Sequence, residues 1–233
     1  MPKKKIVVLT GAGISAESGL KTFRDADGLW EGHRVQDVAT PEAYHRNPSL
    51  VNEFYNQRRN QLLEAKPNSA HQELAKLEKK YHVVIITQNV DNLHERGGSQ
   101  TVLHLHGELF KVRSTGDSKL VYDWQKDIRE TDRCEKGYPL RPHIVWFGEE
   151  VPMLEKAIQE MLDADICLII GTSMQVYPAA GLVSYLKRGS ELYYIDPNPH
   201  INQELKNNPR LRIIAQKATE GVKRMVEILM END

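Results

Sequence analysis

Short runs of aliphatic and β-branched residues recur along the chain, each closing on a polar or glycine-rich cluster. Residues 4–10 and 83–87 are continuous apolar runs, the pattern of strands buried on both faces of a parallel sheet. Residues 101–105, 165–170, 191–195 and 211–215 read as four further strands. Between them the apolar positions move to a helical period. Residues 69–80 open with Ser69-x-x-Gln72, a capping box, and carry the stripe Ala70, Leu74, Leu77. Residues 151–163 form an amphipathic pattern with Pro152 near its start, and 178–188 predict a helix with proline in its first turn and Gly189 as its stop. The last helix is expected over 220–230, with Val222, Met225, Val226 and Leu229 on one face. Strands alternating with helices imply an α/β, doubly wound parallel sheet.

Two stretches break this rhythm. Residues 31–66 carry histidines, charges, Pro41 and Pro48, and predict a helical insertion. Within it Ser49 is a cap for a helix to about Ala65, whose apolar face is Val51, Phe54, Tyr55 and Leu62. That face demands an apolar residue at 58 and holds Arg58 instead. Such a local violation marks a candidate functional position, against the plain alternative of an arginine snorkelling from a helix edge. Residues 111–141 show little periodicity and read as a second, irregular insertion. The division expected is a sheet domain from 1–30, 67–110 and 142–233, and a small domain from 31–66 and 111–141.

Composition narrows the setting. The chain has 233 residues and a net charge of −1, from 31 basic and 32 acidic residues, so nothing points to a nucleic-acid surface. No apolar run is long enough to span a bilayer. Lys3, Lys4 and Lys5 ahead of Ile6 mimic the start of a signal peptide, but Gly11 ends the apolar stretch too early. Cys134 and Cys167 make no disulfide framework, which suggests a reduced, cytoplasmic compartment. Without a long heptad pattern, a monomer is expected.

Four polar clusters follow four strands. Gly11, Ala12, Gly13, Ile14 and Ser15 follow the first, and Gln88, Asn89, Val90 and Asp91 the second. Gly171, Thr172 and Ser173, then Asp196, Pro197 and Asn198, follow two later ones. Ligands of open α/β sheets bind outside the carboxyl ends of the strands, so the clusters predict a nucleotide-type site. Gly11 and Gly13 permit close contact with a diphosphate. Their spacing is not the G-x-G-x-x-G of dinucleotide dehydrogenases. His106 closes the third strand, where two readings stand: a general base titrating near neutrality, or a hydrogen-bonded structural histidine. By strand alternation His104 shares its face, and is read as structural. Asp91 reads either as a ligand-gripping carboxylate or as a cap of the short helix before Gly97.

The stretches GAGISAESGLKTFR, TQNVDNLH, LHG, VWFGE, GTS and PNP, in this order, resemble the signature set of the sirtuins, NAD-dependent protein lysine deacylases. Each is short; jointly they are specific and cover nearly the whole chain. The resemblance implies a Rossmann-like sheet with NAD across it. Gly11 to Ser15 and Gly171 to Ser173 would hold the diphosphate and nearby ribose, and Asp196, Pro197, Asn198 and Ala218 the adenosine end. Phe23, Arg24 and Trp30 would belong to a loop closing over the cofactor. Gln88, Asn89, Val90 and Asp91 would surround the nicotinamide and its ribose. Asn89 and His106 would be catalytic, His106 as the base that activates a ribose hydroxyl after the acyl oxygen has displaced nicotinamide. Val145, Phe147, Gly148 and Glu149, with Val176 opposite, would bind the acylated-lysine peptide as an added strand; as plain sequence, 145–147 reads equally well as a core strand. Tyr55-x-x-Arg58, with the small Ala39, resembles the branch that removes succinyl and malonyl groups. There a guanidinium grips the distal carboxylate.

One departure stands out. Most sirtuins hold a structural zinc with two cysteine pairs in the second insertion, whereas here Val112 to Thr115 stand where the first pair would begin, and Cys134 is alone. Cys134 and His143 are at most half of a four-ligand site, so zinc is not expected and Tyr122, Trp124 and Tyr138 are expected to hold the module by packing. The reading is therefore an NAD-dependent desuccinylase, demalonylase and deacetylase. The alternatives are a mono-ADP-ribosyltransferase, which has no use for an acyl-binding guanidinium, and a non-catalytic NAD or ADP-ribose module, which has none for His106. A hydride-transferring dehydrogenase is disfavoured, because no acidic residue follows the second strand of this chain in the fingerprint position.

Overall fold

The computed structural model describes residues 2–21, 30, 32–206 and 208–231. In chain order the strands are β1 (Lys5–Thr10), β2 (His82–Thr87), β3 (Val102–His104), β4 (Gly107–Ser114), β5 (Val121–Asp123), β6 (Leu140–Ile144), β7 (Ile166–Ile170), β8 (Glu191–Ile195) and β9 (Leu211–Ile214). The α-helices are α1 (Val35–Val38), α2 (Pro41–Arg46), α3 (Pro48–Glu64), α4 (Ser69–Lys76), α5 (Leu93–Arg96), α6 (Leu154–Leu162), α7 (Gln203–Lys206) and α8 (Ala218–Glu231). Among the described residues no helix is long and apolar enough to cross a membrane.

Six strands form a parallel sheet in the order β3-β2-β1-β7-β8-β9. Alternation along β1 sends Ile6 and Val8 to one face, against Leu74 of α4 and Val222 and Met225 of α8. It sends Val7 and Leu9 to the other, against Ala157 and Met161 of α6. Both faces are covered, as a parallel sheet requires, and the arrangement is Rossmann-like. The strand order reverses between β1 and β7, and the register there sets up the site. Thr10 pairs with Thr87 on one side and Ile170 on the other, and Ile170 pairs with Ile195. The residues that follow (Gly11, Gln88, Gly171, Asp196) therefore stand in one row along the sheet's carboxyl edge.

A separate antiparallel sheet, β5-β4-β6, and helices α1 to α3 build the second, smaller part. Residues 111–141, expected as an irregular insertion, are irregular over most of their length but contribute β5 and the ends of β4 and β6 to this sheet. The strands are short, charged on one face and interrupted by a register shift between Gly107 and Val112, so their periodicity is weak in the sequence. Val112, Ile128, Cys134 and Leu140 make the module's own small core, with Tyr122 and Trp124 packed against it. Tyr138 is half exposed, and its ring lies where a side chain at Gly116 would stand.

Helix termini also differ from expectation. Asn47, not Ser49, caps α3 by accepting from Leu50 N at 3.1 Å. The α4 capping box belongs to Asn68 and His71, one residue ahead of Ser69 and Gln72. In both places an asparagine one or two residues ahead of the expected serine already bonds the first free N–H groups of the helix. The stretch expected as an α-helix over 178–188 is a tighter 3-10 segment, Ala179–Tyr185.

Candidate active site

A cleft of about 450 Å³ opens along the carboxyl edge of the parallel sheet at the β1/β7 switch point. Gly11, Ala12, Gly13 and Ser15, Gln88 to Asp91, His106, Gly171 to Ser173, Asp196 and Asn198 line its sheet side. Trp30, Ala39, Tyr55 and Arg58, then Val145, Phe147, Gly148, Glu149 and Val176, line the opposite side. Three residues expected at the site are not on its wall. Ile14 and Ala218 are buried in the core beneath it, and Pro197 does not reach the cleft. Phe23 and Arg24 lie outside the described residues.

The glycines serve a purpose beyond ligand access. Gly13 N donates to Gly171 O at 2.8 Å, and a Cβ on Gly11 or Gly13 would come within 2.7 Å of Thr172 Cβ or Gly171 Cα. The two loops meet backbone to backbone, which only glycine allows.

Behind them runs a buried polar network. Asn89 Nδ2 donates to Gly11 O (3.1 Å) and Ser15 Oγ (3.2 Å), and Ser15 Oγ donates to Asp91 Oδ2 (2.9 Å). Asp91 Oδ1 accepts from Leu93 N at 3.0 Å from its place on the cleft wall; the N-cap of α5 is Asn92, so the expected cap is instead a turn bond made one residue ahead of it. Burial raises the Asp91 carboxyl above the usual carboxylate range. Gln88 Nε2 donates to Thr172 Oγ1 at 2.9 Å, tying the second loop to the third. His71 and His94, which the sequence did not single out, back this network. His94 Nε2 is 3.0 Å from Thr10 Oγ1, His71 Nε2 is 3.5 Å from Ser15 Oγ, and burial pushes the His71 imidazole down to about 4.

His106 Nδ1 lies 3.0 Å from Gln88 O. A carbonyl only accepts, so the proton sits on Nδ1 and Nε2 is left basic. Burial lowers the His106 pKa, and the bond to Gln88 O partly opposes it. His104 does not share its setting. Strand β3 stops at His104 and residues 105–106 form a turn, so strand alternation no longer relates the two, and only His106 reaches the cleft.

Across the cleft, Tyr55 is fully buried and its hydroxyl accepts from Trp146 Nε1 at 3.1 Å. Burial drives its pKa upward, so it keeps a proton to donate. Arg58, one turn on, donates through Nη1 to Phe54 O at 2.9 Å and holds its guanidinium 4.3 Å over the Phe54 ring. The arginine that broke the apolar stripe is thus buried on the cleft wall, not extended from a helix edge. Glu149 has a different setting from its neighbours. Its carboxylate takes Arg113 Nη2 (3.1 Å), Arg141 Nη1 (2.7 Å) and Trp146 N (2.8 Å), while Arg141 Cζ sits 3.3 Å over the Trp146 ring. It folds the 145–149 loop against β4 and β6. Trp146 and Tyr177, which lie in the two segments expected to receive the peptide, also line the cleft, and so does Gln61, which was not expected there and follows Arg58 by three residues on the same helix stripe.

Comparison with known proteins adds what geometry cannot. Residues 11–178 match the model of the Sir2 family. An NAD-dependent protein deacylase of Helicobacter pylori is 57% identical over 206 residues, covering 87% of this chain and 90% of the relative. One of Bacteroides thetaiotaomicron is 51% identical over 233 residues, covering 97% and 98%. Among solved structures, a Sir2 homologue in complex with ADP ribose superposes with a TM-score of 0.88 at 38% identity, covering 99% of this chain and 95% of the other. A Sir2 homologue bound to NAD gives 0.87 at 38%, covering 98% and 90%. A complex of Sir2 with a p53 peptide and NAD+ gives 0.80 at 30%, covering 98% and 94%.

Proposed function

The chain belongs to the Sir2 family and is an NAD-dependent protein deacylase, and we propose that its acyl pocket is built for acidic groups, removing succinyl and malonyl as well as acetyl from lysine. The observation that carries this reading is one cleft shared by His106, Tyr55 and Arg58. Arg58 offers a planar fork suited to a distal carboxylate, the Tyr55 phenol offers a further hydrogen bond, and Ala39 leaves room beside them.

The residues present fit NAD. The glycine loops leave backbone open to a diphosphate, and the groups after β2 are mostly neutral dipoles, suited to a centre that gains positive character without competing for it as a nucleophile. When bound, NAD would supply the electrophilic ribose carbon of the reaction. Gln88, Asn89 and Asp91 would surround that end, with the Asp91 carboxylate held in place by Ser15 Oγ and Leu93 N. His106 presents Nε2 as the base that takes a hydroxyl proton. Val145, Phe147, Gly148 and Val176 receive the peptide through main-chain bonds, a mode that reads sequence loosely. Glu149 holds the loop and leaves the peptide to its neighbours.

Turnover of matched acetyl, malonyl and succinyl peptides, with product identification, tests the acyl assignment. We expect O-acyl-ADP-ribose from all three and a kcat/KM for the acidic peptides at least equal to that for acetyl. Activity confined to acetyl would refute it.

The small module is further proposed to be zinc-free. Cys134 is buried in an apolar cluster with Val112, Ile128 and Leu140, a core that supports a module held by packing. Metal analysis of the purified protein is expected to find far less than one zinc per chain; near-stoichiometric zinc would overturn this.

A further inference from the structure

Outside the cleft wall, one ionisable group is placed with unusual completeness. His104, at the end of β3, is buried. Its Nδ1 lies 3.1 Å from Asn89 O and its Nε2 lies 2.7 Å from Glu95 Oε1 on α5. Both neighbours are acceptors: a carbonyl has no proton to give, and the Glu95 side chain is 40% exposed, so water keeps it ionised. Two acceptors facing the two ring nitrogens suit a ring protonated on both, an imidazolium.

His104 and His106 each hold one of two consecutive carbonyls. His106 Nδ1 holds Gln88 O at 3.0 Å, and His104 Nδ1 holds Asn89 O at 3.1 Å. The two histidines, two residues apart, grip adjacent peptide units of the segment carrying Gln88 and Asn89 into the cleft. A neutral His104 has one proton for two acceptors. It must release either the Asn89 carbonyl or the Glu95 carboxylate, and a buried group would lose its partner.

We propose that His104, paired with Glu95, is a positioning residue for deacylation: as an imidazolium it fixes the Asn89 carbonyl, and with it the segment that orients His106, so turnover requires His104 to stay protonated. The charged and titratable groups around it are Glu95 on α5, Glu108 on β4, Asp91 on the preceding loop and His94 on α5. Burial is the largest single influence and opposes the cation, but the bond and charge of Glu95, the bond to Asn89 O and the charge of Glu108 together outweigh it, so its pKa is raised. The sign follows: His104 is lost as a double donor when pH rises through that raised value, giving an alkaline limb, whereas His106 must be neutral and sets the acid limb. The inference rests on His106 as the base but not on the acyl preference, so an acetyl peptide serves as substrate.

The test compares kcat against pH for the unsubstituted enzyme and Glu95→Gln at saturating NAD and peptide. Removing the carboxylate should bring the alkaline limb down by about one pH unit or more, so that the deficit relative to the parent widens as pH rises through that limb. A merely structural role would scale the whole profile without moving the limb, and that result overturns the proposal. A misplaced acid limb would count against His106 instead, so the two failures are distinguishable. Nitrogen-15 NMR of the histidine rings in the unsubstituted protein is independent of how the variant folds. Both ring nitrogens of His104 should be protonated at pH 7, and a neutral ring there overturns the proposal.

Discussion

Replacement of His106 by alanine is expected to cut kcat/KM for deacylation by ~10²–10⁴-fold, the usual worth of a positioned general base, while NAD still binds. The argument is geometric. Nε2 faces the cleft with no proton, because Nδ1 spends its proton on Gln88 O. The loops expected to carry the diphosphate and adenosine are held by other bonds, among them Gly13 N to Gly171 O and Gln88 Nε2 to Thr172 Oγ1. Losing the imidazole removes the base without dismantling them. The pH profile carries a second signature. Burial lowers the His106 pKa, so its neutral, active form persists to lower pH than for an ordinary histidine, and the acid limb of the unsubstituted enzyme should fall below 6.5. Calorimetry with NAD and turnover of an acyl peptide, run on the same preparation, check both halves. Retained turnover in His106→Ala would remove the residue from the mechanism; lost NAD binding would make it a structural post.

What could be read from the chain beforehand divides along a physical line. The central sheet was legible because each of its inner strands is a continuous apolar run whose identity depends on local composition. Loops at strand ends were legible for the same reason, since a polar cluster after a buried strand has nowhere to go but the sheet's edge. Arg58 was legible as a misfit in a helical stripe. Features that depend on a distant partner were not. Strands β4, β5 and β6 are stabilised by one another across some thirty residues, and nothing in 111–141 alone announces it. The fuller role of Gly11 and Gly13 is set by Gly171 and Thr172, 160 residues away in the chain and in contact only once β1 and β7 pair. Glu149 looked like a substrate ligand by its place in a motif, yet Arg113 and Arg141 occupy it. His104 carried no signal beyond an even spacing from His106. Its meaning comes from Glu95 on a neighbouring helix.

Arg58→Met should depress desuccinylation and demalonylation by about 10- to 150-fold in kcat/KM, the worth of one hydrogen bond to a charged group at ~1.5–3 kcal/mol, and should leave deacetylation near the parent level. Methionine keeps much of the stem's volume on the helix and loses the cation, so packing against Phe54 is largely preserved while the carboxylate loses its counter-charge. An acetyl group has no distal carboxylate and so no reason to notice. Arg58→Lys separates charge from shape. Lysine restores a cation but not the two-pronged fork, and recovery should be partial if the carboxylate is held bidentately. Tyr55→Phe removes the phenol that Trp146 Nε1 donates to, and should cost the acidic substrates further without changing NAD binding. The decisive comparison is the ratio of kcat/KM for succinyl over acetyl peptides in each variant. A ratio that collapses in Arg58→Met identifies the guanidinium as the carboxylate's partner. Equal losses on both substrates would mean that Arg58 only supports the helix wall, and the acidic-acyl assignment would fall with it.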